Sequence, residues 1–317
     1  MPQVRHTKTP KTELISPQVV EKPEPAEPAP PPIKTTVIVV SHNRAELLRK
    51  CVESLERSKD REQIEILVVD NGSTDGSTEL EPDFPNTRFI RMPRNFGLTK
   101  ALNVALRSAT GDFILLLHED TEVSPETVSL LTGILENQSD VGAACPLLVT
   151  PDGQPAPQIS SLPAPGRANI EWRPADPALG EQTVDYARGA AIMVRKLSLR
   201  AMGKIDERYG TFGSDAEICY QVRRAGKRVL LAPATRVVHH AHADLDARTR
   251  AARDADVKLG MAVYLGKRFG FVRGLLYHIA AIFGALGGLL TFRDFSYHLS
   301  LFGALTGTQK IDGTQAQ

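Results

Sequence analysis

The chain has 317 residues, with 38 Lys+Arg against 37 Asp+Glu and 24% charged residues. That length supports one sizeable domain with additional segments, and the balanced charge excludes the broad basic field of a nucleic-acid binder. Cys51, Cys145 and Cys219 are widely separated and form no CxxC pair, which excludes a disulfide framework and fits reduced core residues of a cytoplasmic protein.

Met1 to Pro32 holds nine of the 22 prolines, mixed with Lys and Glu. Proline removes backbone donors and few large apolar groups are present to bury, so residues 1–33 are expected to be a disordered, Pro-rich tail. The N-terminus lacks the apolar core of a signal peptide. Folding begins at Thr35. Thr36 to Val40 is a β-branched run, broken by Ser41-His42-Asn43 before a helix-forming stretch, Ala45 to Arg57. Ile64 to Val69 is a second strand, ending in the turn-rich loop Asp70-Asn71-Gly72-Ser73-Thr74-Asp75-Gly76. Thr87 to Met92 is a weaker strand. After Arg94-Asn95-Phe96-Gly97, a helix from Leu98 to Ala109 places Leu98, Ala101, Leu102, Ala105 and Leu106 on one stripe.

Phe113 to Leu117 is an unbroken apolar run, too short for a globular helix, and suits a strand buried on both faces. It ends in His118-Glu119-Asp120, where an open α/β sheet collects its ligands. Ser124-Pro125 then starts a helix to about Glu136. Strands alternating with helices of this length give an α/β fold with a doubly wound, mostly parallel sheet. Thr150 to Asp176, rich in Pro and Gly, is a long excursion carrying Trp172. Strand-like composition returns over Tyr186 to Val194. Ser214 to Ala225 is a helix on which Glu217 reads as a solvated residue. Val229 to Leu231 and Arg236 to Val238 are two short strands, the second ending in His239-His240. From Asp246 the chain is helical and basic, then apolar from Leu275 to Leu290. The domain expectation is therefore a tail over 1–33, a folded domain over 34–245 and a helical extension over 246–317.

No GxGxxG follows the first strand, Gly260 to Lys267 does not fit a P-loop, and no Ser or Cys occupies a nucleophile elbow. What remains is polar residues at successive strand ends: Asp70, Asp120, Asp215 and His239. Together with TVIVVSHNR (Thr36–Arg44), EILVVDNGSTDG (Glu65–Gly76), NFGLTKALN (Asn95–Asn103), Arg188-Gly189-Ala190, Ile205-Asp206-Glu207 and Pro233 to His239, these resemble family 2 glycosyltransferases of the GT-A fold. The resemblance runs from about Lys34 to His240, and its flavour is the bacterial rhamnosyltransferase-like branch of cell-surface polysaccharide assembly.

The resemblance implies an inverting enzyme that moves one sugar from a nucleotide-sugar donor to a glycan or polyprenyl-linked acceptor. It has no QxxRW motif, so non-processive transfer is expected. Ser41 and Asp70 are expected at the base and ribose, Arg94 and Asn95 beside the nucleotide, and Asp120 and His239 on Mg²⁺ or Mn²⁺. Asp215 is expected to be the general base. His118 stands where many members carry Asp or Asn, and Ser214 where they carry Glu. Those departures keep open a degenerate relative that binds nucleotide sugars or a partner without turnover. A nucleotidyltransferase is disfavoured because the glycine-rich phosphate loop is missing.

The run from Leu275 to Leu290 falls short of the roughly 20 residues a bilayer crossing takes. Phe292, Phe295, Tyr297, Leu299 and Phe302 extend the apolar supply, and the basic residues from Arg248 to Arg273 precede it. A helical hairpin in the cytoplasmic membrane interface is one expectation, with peripheral membrane contact. A packed helical subdomain, with the basic run as a solvated face, is the other.

Overall fold

The computed structural model describes residues 31–240, 246–291 and 294–309. The Pro-rich tail expected over 1–33 lies almost wholly outside the described residues, as do Phe292 and Arg293. The β-branched runs form β1 (Thr35–Ser41) and β2 (Ile64–Asp70), separated by α1 (Ala45–Glu56). Leu48, Cys51, Val52 and Leu55 are the buried stripe of α1, at the spacing a one-sided helix requires. β3 (Thr87–Arg91), α2 (Leu98–Ser108) and β4 (Phe113–His118) follow. Next come β5 (Thr121–Val123), α3 (Thr127–Asn137) and β6 (Val141–Val149).

Among the described residues the main sheet has nine strands. Its order is β3-β2-β1-β4, then β11 (Ala191–Arg195), β6, β12 (Arg228–His239) and β5, with β9 (Gln182–Val184) alongside β12. β1 is parallel to both β2 and β4, while β11 runs antiparallel between β4 and β6. Successive residues face opposite sides, and both sides are dry. Val37, Val39, Leu115 and Leu117 pack against Leu48, Leu55, Leu131 and Leu135 of α1 and α3. Ile38, Val40, Ile114 and Leu116 pack against Ala101, Leu102, Ile218 and Val222 of α2 and α5 (Ser214–Arg224). That is why the central strands carry unbroken apolar runs rather than alternation.

The structure departs from the sequence reading in four places. The excursion after β6 contains a small antiparallel sheet, β10-β7-β8, built from β7 (Pro157–Ser160), β8 (Arg173–Pro174) and β10 (Tyr186–Ala187). β10 and β11 are separate strands, turning at Arg188-Gly189-Ala190, before α4 (Lys196–Met202). The two short strands expected around Pro233 are one long strand, β12. Its register against β6 shifts between Ala232 and Arg236, so an irregularity absorbs the proline instead of ending the strand. Finally, the helical tail is α6 (Ala247–Phe269), α7 (Phe271–Leu290) and α8 (Phe295–Leu305), packed around Ala251, Ala255, Ala285, Leu301 and Leu305. α7 begins at Phe271, four residues before the apolar run expected from Leu275. At 20 residues it is, among the described residues, the helix long and apolar enough to cross a membrane.

Candidate active site

A cavity of about 820 Å³ opens at the carboxyl ends of β1 and β4 and beside the end of β12. Loop residues Asn71 and Asn95 complete that wall, and Trp172, Tyr186, Arg188 and Gly189 join residues of α5, α6, α7 and α8 in the rest of the lining. The two motif loops that border it are braced against each other. Asn43, at φ +53°, accepts from the Thr74 N–H at 2.7 Å and donates its own N–H to Ser73 Oγ at 2.9 Å. Asp75 accepts from the backbone N–H of Ala45 and of Ser77. Asn71 in turn donates to Asn95 Oδ1 at 2.8 Å and accepts from the Phe96 N–H at 3.0 Å. A side chain at Gly72 would collide with the Arg94 backbone, so the close approach of these loops requires glycine there.

His118, Asp120 and His239 meet at the strand ends, with one ligand atom from each all within 4.8 Å of one another. Asp120 Oδ1 lies 3.5 Å from His239 Nε2 and 3.9 Å from His118 Nδ1. His118 ends β4 and Asp120 stands two residues on, in the turn leading to β5, so one strand end supplies both side chains. Glu119, between them, makes a 3.5 Å contact with Arg44 instead. Burial and then the Asp120 charge push its carboxyl up to about 7, with Arg44 opposing. Two imidazoles and a carboxylate are a donor set for a divalent cation, and three protein ligands leave positions for ligand oxygens. His118, which the sequence reading placed outside the metal set, is thus a third candidate ligand. Its place at the end of the same strand, two residues before Asp120, is the signal for it.

Asp215 stands at the start of α5, in the first turn after Gly213, whose φ of +108° seats it against the Tyr209 ring. Its Oδ2 accepts from the Gly189 N–H at 3.1 Å and its Oδ1 from the Ala216 N–H at 2.8 Å. Burial raises the Asp215 carboxyl above the ordinary range, while those backbone donors pull the other way. A carboxylate of raised pKa, oriented by two backbone bonds and lining the cavity, is suited to accept a proton.

Of the other expected contacts, Ser41 and Asn95 line the cavity, and the buried Ser41 hydroxyl has no hydrogen-bond partner among the described residues. Asp70 and Arg94 are not in the lining. Asp70 is buried at the end of β2 and accepts from the Ser73 N–H at 3.1 Å, while Arg94 lies over the Phe96 ring at 4.6 Å. Asn71, one residue on from Asp70, occupies the lining instead. Glu217 corrects the expectation of a solvated helix residue. It is 3% exposed, accepts from Tyr209 and Gln221, and pairs with Arg268 and Lys267 of α6. Burial would raise its carboxyl, but the Gln221 and Arg268 hydrogen bonds and the two cations hold it below the usual range. Arg268 is itself buried over the Tyr220 ring at 3.8 Å and is a clamp, while Arg248, Arg250, Arg253 and Arg273 stay exposed as a solvated face requires. Asp256 of α6 likewise accepts from the Thr211 N–H at 2.7 Å, tying the loop before α5 to the tail.

Sequence reasoning did not anticipate the far wall. Trp172 packs on Tyr186 at 4.7 Å between centroids, and Arg188 lies 5.5 Å from the indole. Arg253 of α6, Tyr277 of α7 and Tyr297 of α8 also line the cavity.

Comparison with known proteins agrees with this geometry. Residues 36–200 match the family described as Glycosyl transferase family 2. An N-acetylglucosaminyl-diphospho-decaprenol L-rhamnosyltransferase of Mycobacterium tuberculosis is 24% identical over 233 residues, which is 64% of this chain and 75% of that protein. An O-antigen biosynthesis protein of Myxococcus xanthus is 29% identical over 73% of this chain, though the match spans 19% of that much longer protein. Among solved structures, the mannosyltransferase of Pyrobaculum calidifontis in complex with GDP-Man and Mn²⁺ superposes with a TM-score of 0.52 at 18% identity, over 90% of each chain. The sheet is of the GT-A type. The chain belongs to glycosyl transferase family 2 and is a glycosyltransferase.

Proposed function

We propose that the protein transfers one sugar from a nucleoside diphosphate sugar to a lipid-linked or glycan acceptor, with inversion and with a divalent cation. The observation that carries this is the convergence of His118, Asp120 and His239 with Asp215 on one cavity. A bound cation would supply positive charge to the departing diphosphate. The two imidazoles favour Mn²⁺ over Mg²⁺, which prefers an all-oxygen shell.

Ser41 and Asn95, with the Asn71 it braces, form the wall on which the nucleotide rests, and the unsatisfied Ser41 hydroxyl is available to it. Asp70 and Arg94 serve this wall from behind, through the Ser73 turn and the Phe96 stack. On the other side, Asp215 takes the proton of the acceptor hydroxyl as that oxygen bonds to the anomeric carbon. The bond from that carbon to the diphosphate oxygen breaks in the same displacement, and its electron pair leaves with the nucleoside diphosphate. One displacement inverts the centre, and after it Asp215 carries the proton.

The acceptor class is supported by the tail and by the mycobacterial relative, whose name describes a decaprenyl diphosphate acceptor. α7 exposes Phe271, Val272, Leu276, Phe283 and Leu290 to solvent while its Tyr277 lines the cavity. An apolar helix face next to the site suits an enzyme working at the cytoplasmic surface of the cell membrane in polysaccharide assembly. The test is a panel of nucleotide sugars with and without Mn²⁺, followed by thermal shift and nucleoside diphosphate release. Metal-dependent stabilisation with release on adding a prenyl diphosphate glycan supports the reading. Binding with no release in any pairing would instead leave a non-catalytic binder.

A further inference from the structure

We propose that Arg188 and Arg253 form a diphosphate-binding subsite for the acceptor, placed between the general base and the apolar tail. It rests on the reading of a lipid-linked acceptor and names the groups that hold that acceptor's charge. The two guanidinium groups come from distant parts of the chain. Arg188 is in the turn between β10 and β11, immediately before the Gly189 N–H that orients Asp215. Arg253 is on α6, three residues before the Asp256 that holds the loop leading to the base. Both line the cavity, and among the described residues neither forms an ion pair. The one side-chain hydrogen bond of Arg188 goes to the Pro157 carbonyl at 3.2 Å. Burial of Arg188 and then the charge of Arg253 lower the Arg188 pKa, against the pull of Asp215 and Asp120.

Two guanidinium groups on one cavity, neither in salt-bridge contact with a carboxylate among the described residues, add positive charge that a polyanion can use. Guanidinium forks fit diphosphate oxygens in particular. The metal group already serves the donor's diphosphate at the strand ends, so a second diphosphate is the polyanion that needs cations here. The lipid source follows from the surroundings. Tyr277 and Tyr297 continue the same lining into α7 and α8, and the outer face of α7 is the exposed apolar surface described above. A prenyl chain leaving the Arg pair therefore meets aromatic and apolar side chains, while its sugar end points toward Asp215 and Trp172.

Calorimetry on the full chain tests this with two probes: farnesyl diphosphate in EDTA, and UDP, GDP and dTDP with Mn²⁺. Wild-type protein should bind farnesyl diphosphate more tightly than inorganic pyrophosphate. R253A should weaken farnesyl diphosphate tenfold or more, R253K less so, and both should bind the preferred nucleoside diphosphate within twofold of wild type. Arg253 is exposed on a helix, so R253A should keep the wild-type melting temperature; R188K supplies a second variant at the half-buried arginine and should likewise weaken farnesyl diphosphate. Unchanged farnesyl diphosphate binding in R253A would overturn the subsite. So would equal weakening of both ligands, which would assign the cations to the donor. Preference for bare pyrophosphate over the prenyl form would overturn the lipid source. Absence of nucleoside diphosphate binding in wild type strikes the donor reading alone, and the farnesyl diphosphate arm still decides the subsite.

Discussion

On the strand side of the cavity, Ile38, Leu115 and Leu67 are 0% exposed, and the functional groups project from the ends of a sheet that is dry on both faces. On the tail side the order is reversed. Phe271 and Leu290 are 76% and 75% exposed, and α6 is fastened to the domain through charged and polar clamps, Glu217–Arg268 and Asp256–Thr211. The strand wall gets its rigidity from burial and can hold ligands at fixed spacing. The tail wall buries Met261, Tyr264 and Leu265 of α6 in the main core, adds those directional contacts, and leaves the outer face of α7 exposed. A domain core cannot be read as a single rule for the whole molecule: the same residue types stabilise one wall and leave the other exposed.

The sharpest way to break the comparison is at the metal group. D120A should abolish metal-dependent donor binding, because two imidazoles without the central carboxylate lose the shared anchor. Unchanged Mn²⁺ and donor affinity in the folded variant, measured by calorimetry, would remove Asp120 from the site. D215N comes next: turnover should drop about 10²–10⁴-fold with donor affinity kept, the scale for losing a positioned base. Because burial raises Asp215, wild-type transfer should be full at higher pH and fall as pH drops through a value above the ordinary carboxylate range. Near-normal transfer in D215N would place the base elsewhere.

Stability measurements sharpen the comparison between the walls. E217A leaves buried Arg268 without its carboxylate, and removing one partner of a buried pair costs about 3–5 kcal/mol. The held-down Glu217 pKa means this contribution is complete at neutral pH and is lost as pH falls through that lowered value, so the wild-type–variant difference in melting temperature should shrink in acid. L115A in the sheet should cost about 2–5 kcal/mol by leaving a cavity. F283S on α7 should change unfolding free energy by less than about 0.5 kcal/mol, the ordinary effect at an exposed site. Yet the combined variant F271S, F283S and L290S should pellet less with anionic vesicles than wild type. Equal sedimentation would remove the lipid surface as the tail's target.

The strand wall was largely legible in the sequence because its signals are local. Unbroken apolar runs mark β1, β2 and β4, and the polar residues that end them fall at the sheet's carboxyl edge. Asp120, His239 and Asp215 line the cavity as their positions suggested. Asp70 was misleading in detail: an aspartate before Asn-Gly-Ser also satisfies the turn, and its carboxylate does that while Asn71 faces the cavity. Glu217 was illegible because its partners, Lys267 and Arg268, lie some fifty residues downstream on another helix, beyond any local periodicity. Arg188 and Arg253 share that difficulty. Nothing in the sequence relates a turn between two strands to a distant helix until the chain has folded.

Asp256 reaching back to Thr211 also orders events during synthesis. The sheet through β12 is complete in sequence before α6 has been translated, and domains tend to fold from the N-terminal side as the chain emerges. The loop that precedes Asp215 therefore acquires its polar tether last, from the same helix that brings Arg253 and leads into α7. A chain lacking its tail would keep the Gly189 and Ala216 contacts of Asp215 but leave the preceding loop without its Thr211 tether. The last tether of that loop would then arrive together with the exposed apolar face of α7.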